Sequence, residues 1–159
     1  FPALALAVDP KAPDLMKRRP RRPDARLLDN RRLVAIGLEG LMLSAIALGA
    51  FAYSLYGLEQ GIEEARTVAF TVLVINQLVH AFNCRSDRWS LFQVGPGTNR
   101  PLLLAFMLSL SIQVALLTVP VAAPIFKVVP LPAEDWLLMG ATGILPFIVM
   151  EAVKWGRRG

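Results

Sequence analysis

Read as a pattern of apolar and polar positions, the chain alternates long hydrophobic runs with short charged blocks. Four runs approach the ~20 residues of helix needed to cross a ~30 Å hydrocarbon core. They extend from Leu33 to Tyr56, Arg66 to Asn83, Leu102 to Val119 and Trp136 to Trp155. The runs are too long for strands and do not alternate with period two, so all four are expected to be helices. Small residues recur in the first (Gly37, Gly40, Ser44, Gly49) and the fourth (Gly140, Gly143). Such residues let helix backbones approach closely in lipid, which predicts tight interhelical packing. The expected fold class is an all-α membrane protein, a four-transmembrane-helix bundle over residues 33–159. Ahead of it, residues 1–8 read as the end of a membrane helix and residues 9–32 as a basic, proline-rich loop.

Composition agrees with that reading: 55% of the 159 residues are hydrophobic, against about 45–50% for an ordinary soluble domain. The formal net charge of +5 and the run Arg18-Arg19-Pro20-Arg21-Arg22 raise nucleic acid as a partner. Basic residues flanking membrane spans are instead what retains a loop in the cytoplasm, so the lipid bilayer and no nucleic acid is expected. Residues 9–32 carry nine Lys/Arg against four Asp, whereas 57–65 carry only Glu59, Glu63 and Glu64. Arg85, Arg88 and Arg100 follow the second run, 120–134 has Lys127 and Glu134, and Lys154, Arg157 and Arg158 close the chain. That alternation predicts an integral membrane protein with both ends cytoplasmic. Cys84 is the single cysteine, so neither an intrachain disulfide nor a cysteine-rich metal site is expected.

The second run carries the candidate chemistry. At about 100° per residue, Asn76, His80 and Asn83 fall within a ~60° arc, with Gln77 ~60° from His80. Polar groups at membrane depth are costly and line a cavity or ion path, or they hydrogen-bond between helices. For Gln77 both readings stand open. For His80 and Asn83 the interhelical bond is the simpler account. Glu39, two turns into the first run, is expected to pair with an arginine from a neighbouring helix end. Glu151 is expected to pair with Lys154 three residues on.

The stretch ARTVAFTVLVINQLVHAFNCRSDRWSLF, followed by NRPLLL, resembles the C-terminal part of the P-type cation-transporting ATPases, in their calcium-pump-like branch. In that family the eighth membrane helix ends in an Asn-x-Arg-Ser-type turn, followed by Ser-Leu-Phe and an Asn before the ninth helix. PALALAVDPKAPDLMKRRPRRPDARLL is similar to the end of the sixth helix and its following loop, and PIFKVVPLPAEDWLL to the loop into the tenth. The resemblance implies that the four runs are equivalent to helices seven to ten of a pump, supporting its ion-transport helices. It implies a translocase that uses Mg and ATP, with calcium as the expected cargo, in the plasma membrane. The remaining domains and membrane helices of the parent pump would be this region's partners. The phosphorylated Asp of the family's Asp-Lys-Thr-Gly motif is not among these residues, so no cofactor is expected here and the region alone should be inactive. Gln77 stands where two-site calcium pumps carry a Glu that ligates an ion, and sodium-transporting relatives carry Gln there too. Gln77 is therefore the candidate metal ligand, neutral or acting through a ligand, with Asn76 and His80 beside it. The alternative from another class is a free-standing four-helix membrane scaffold or assembly subunit.

Overall fold

Capping chemistry sets where each helix starts. The computed structural model describes residues 2–10, 29–86 and 89–156. The arginines at 18, 19, 21, 22, 88, 157 and 158, on which much of the charge argument rests, lie outside the described residues. A short helix α1 spans Pro2–Leu6. Helix α2 runs Asn30–Ala52 and opens on Asp29, whose carboxylate accepts the Arg32 amide at 2.8 Å. It widens into a π-helical turn over Tyr53–Gly57. A Cβ on Gly57 would lie 2.8 Å from the Tyr53 ring, so a larger residue there would displace that ring.

Helix α3 runs Ile62–Asn83. It starts four residues ahead of the hydropathy run because Glu63 and Glu64 suit the positive end of the helix dipole. Helix α4 is one turn, Leu91–Val94, closed by a capping box between Ser90 and Gln93. Helix α5, Arg100–Thr118, has Pro101 in its first turn, where a missing N–H costs nothing, and Asn99 as its cap. Helix α6 (Ala122–Phe126) is short, and α7 runs Ala133–Gly156 with acidic residues in its first turn and Lys154 in its last.

Helices α2 (with its π turn), α3, α5 and α7 are long and apolar enough to cross a membrane, and no strand occurs among the described residues. Helix α3 is the centre: 44% of its most apolar window is buried, against 17% for each of the other three. Its principal neighbours are α7 and α2, then α5. One apolar cluster joins Ala47 and Ala50 of α2, Val68 and Val72 of α3, Leu117, Val128 and Met139. A second, at the other end, joins Ala5 of α1 to Ala81, Phe82 and Leu102, with Phe82 edge-on to Phe106 at 5.3 Å.

The small residues behave less uniformly than their spacing suggests. Gly143 does bring two helices together, since a Cβ there would collide with Cγ2 of Ile75 on α3. Gly37, Gly40, Gly49 and Gly140 would each meet no atom within 4 Å among the described residues. Helix α2 is correspondingly bare along its first half, where Leu33, Val34, Ile36, Leu38 and Leu41 are exposed.

Candidate functional site

Helix α3 has three faces, and its polar residues divide among them. The first carries Ala65, Val68, Val72, Asn76, His80 and Asn83 and turns inward. Asn76 is fully buried, and among the described residues neither atom of its amide has a hydrogen-bond partner; nor does the buried Asn83 amide. The His80 Nε2 lies 3.6 Å from Glu39 Oε2 of α2, so the partner of Glu39 among the described residues is a histidine of the neighbouring helix and not the expected arginine. His80 Nδ1 is buried without a partner among the described residues. Beside this pair sits a cavity of about 60 Å³ bordered by Glu39, His80, Asn83, Cys84, Ser86 and Lys154. Lys154 is buried and donates to the Asn83 carbonyl at 3.2 Å, with Glu151 at 3.5 Å. Glu151 also accepts the Leu91 amide at 3.1 Å, so α7 ties down the start of α4.

The second face, with Thr67, Thr71, Leu78 and Phe82, turns toward α5. Gln113 of α5, itself buried, donates to Thr71 Oγ1 at 3.0 Å. The Thr71 and Thr67 hydroxyls donate back to the carbonyls of Thr67 and Glu63, both at 2.8 Å, and Thr67 accepts the Val129 amide at 3.2 Å. Back-bonding of this kind satisfies a hydroxyl inside an apolar helix.

The third face is a narrow open strip: Arg66, Phe70, Leu73, Gln77 and Cys84 are all exposed. Gln77 is thus parted from the polar row that the helical wheel places beside it. Asn76, His80 and Asn83 come together against α2 and α7; Gln77 looks out of the bundle, 100° from Asn76 by helix geometry. An amide at mid-span that faced hydrocarbon would be expensive. Its carbonyl oxygen is chemically able to ligate a hard cation but adds no negative charge. Among the described residues no group of three or more His, Cys, Asp or Glu side chains is placed to hold a metal ion.

Two further networks escaped the sequence reading. At one end, Arg85 and Asn99 bind Asp9. At the other, Gln60 donates to both carboxylate oxygens of the fully buried Asp135, at 3.2 and 3.1 Å, and accepts from Ser54 at 2.6 Å. The only signal for the second was polar type at span ends, which does not distinguish a buried partner from a solvated one.

A family model described as cation transporting ATPase, C-terminus, matches residues 1–156. The chain is 36% identical over 174 residues to the calcium-transporting ATPase 1 of Bacillus cereus, covering 99% of this chain and 19% of that protein. It is 34% identical over 160 residues to the calcium-transporting ATPase type 2C member 2 of Rattus norvegicus, covering 96% and 16%. It is 31% identical over 147 residues to the probable cation-transporting ATPase F of Mycobacterium tuberculosis, covering 92% and 16%. The chain therefore spans less than a fifth of the length of these relatives.

Proposed function

Since the chain belongs to the cation-transporting ATPases, as their C-terminal membrane region, we propose that it is the supporting helix bundle of an ATP-driven P-type pump with calcium as cargo. The observation that carries the reading is the placement of Gln77. It is the one strongly polar side chain on the open, membrane-depth strip of α3, and it stands where calcium-pump-like relatives are expected to ligate an ion. Helices of the longer protein would cover this strip and complete the site, with Gln77 supplying one neutral oxygen or orienting a ligand. Asn76 and His80 face the other way, toward α2 and α7, and take a structural part in this reading. Mg and ATP would be handled by the parts of the longer protein beyond this region.

Two dications held close together repel strongly at low dielectric, and a second site needs carboxylates to offset their charge. The middle and last turns of α3, from Thr67 on, carry no acid. The longer protein should therefore bind one calcium per phosphorylatable site. Gln77→Ala should weaken binding by no more than about tenfold, or ~1.4 kcal/mol. Equilibrium calcium binding is the test: a stoichiometry of two, or complete loss of binding in the variant, would overturn the reading. The plasma membrane is the proposed location, with both chain ends in the cytoplasm. Cys84 is exposed, and a membrane-impermeant thiol reagent should reach it only from the cytoplasmic side. Labelling from outside intact cells would reverse that topology.

A further inference from the structure

Where α3 ends, an arginine that ought by its position to reach for water does the opposite. The Arg85 side chain is 1% exposed. Its Nε donates to Asp9 Oδ1 at 2.9 Å, Nη1 to the Gly95 carbonyl at 2.8 Å and Nη2 to Thr98 Oγ1 at 2.6 Å. Asn99 is equally buried, and its amide is fully used. Its Nδ2 donates to the Ala5 carbonyl at 3.0 Å and to Asp9 Oδ1 at 2.8 Å, while its Oδ1 accepts the Leu102 amide at 2.9 Å. One carboxylate oxygen of Asp9 thus receives both Arg85 and Asn99. Four pieces of chain are joined by these two side chains: the exit of α1, the turn after α3, the 95–98 turn and the first turn of α5.

We infer that Arg85 and Asn99 are positioning residues that lock the exit of α1 to the ends of α3 and α5. Asp9 lies three residues beyond α1, at the start of the basic segment of the sequence. A pull on that segment is resisted at Asp9 and delivered to α3 and α5 together, instead of unwinding the end of α1. Planar, three-point recognition by a guanidinium is what gives the junction a defined geometry; an ammonium in its place keeps the charge but not the geometry. The role in turnover rests on the reading of the chain as part of a pump, in which α1 is the end of a transport helix. The lock itself does not rest on it.

The test uses the longer protein, reconstituted in lipid, with Arg85→Lys as the main variant and Thr98→Val, which removes one of the three guanidinium contacts, as the mild one. Calcium-dependent ATP hydrolysis should fall about tenfold in Arg85→Lys and less than threefold in Thr98→Val. The calcium concentration for half-maximal activity should move less than threefold in both. Spin labels at Val8 and Gln93, both exposed, should show a narrow distance distribution that Arg85→Lys broadens. A lowered melting temperature with unchanged turnover in the folded fraction would make the role merely structural and overturn the inference. An unchanged distance distribution would overturn the lock. Absence of calcium-dependent hydrolysis in the wild type would overturn the pump reading and the role in turnover, leaving the distances to decide the lock.

Discussion

The two ends of the bundle each bury a charge, and they secure it differently. At the end where α1, α3 and α5 meet, Arg85 is held by one carboxylate at the exit of α1 and two neutral oxygens of the 95–98 turn. At the opposite end, Asp135 is held by a single neutral amide, Gln60, so that only the turn after α2 and the start of α7 are joined. The first arrangement fixes several elements around one cation, whereas the second pins one loop to one helix, with no cation paired to the carboxylate among the described residues. The difference predicts a more rigid basic end and a more compliant acidic end.

That ranking can be broken by mutation. Arg85→Ala leaves Asp9 largely buried beside the now unpaired oxygens, and breaking such a pair costs about 3–5 kcal/mol. It should give the largest fall in thermal stability of the variants considered. Asp135→Ala leaves the Gln60 N–H groups unpaired, a smaller penalty of about 1–3 kcal/mol, and Asp135→Asn should recover most of it because its carbonyl can still accept. If Asp135→Ala proved the more damaging of the two in parallel melting curves, the rigid and compliant ends would have to be exchanged.

Midway between the ends, Gly143→Ala would push a methyl into Ile75 and should cost about 1–3 kcal/mol, while Gly140→Ala, with open space around it, should be close to neutral. Equal effects at the two glycines, read from the same melts, would show that the α3–α7 approach is not tight. The smallest change is expected from Gln113→Leu. Thr71 keeps its bond to the Thr67 carbonyl without it, and an interhelical bond in a membrane averages about 0.6 kcal/mol.

The four spans were legible because hydrophobic length is a local property that the bilayer demands of every spanning helix. The split between Asn76 and Gln77 was not. A helical wheel fixes their relative angle, but which arc faces inward depends on where α2, α5 and α7 stand. Helix α3 is flanked on two sides, so its open face is a strip and not a half. Arg85 was read as a topology marker because basic residues at span ends ordinarily snorkel to water; only the fold shows that Asp9, 76 positions away, occupies that place. Glu39 found His80 and not an arginine for the same reason: its position along α2 sets the depth, but its partner is chosen by the facing helix. The pairing of Gln60 with Asp135 spans 75 positions and leaves no local trace.

The inward row of α3 also bears on how the protein is made. Asn76, His80 and Asn83 are enclosed by α2 on one side and α7 on the other, and α7 is synthesised after both α2 and α3. At about 5–20 residues per second, the end of α7 emerges roughly 4–15 s after the end of α3. During that interval the row has half of its enclosure, and three polar side chains stand open within a nascent membrane segment. Helix α2 holds the hairpin through Ala47 and Ala50 against Val68 and Val72, but its first half is bare and leaves the row half open. The expectation is a window in which the newborn chain is exposed to quality-control proteases and insertion chaperones, and which closes when Gly143 seats against Ile75.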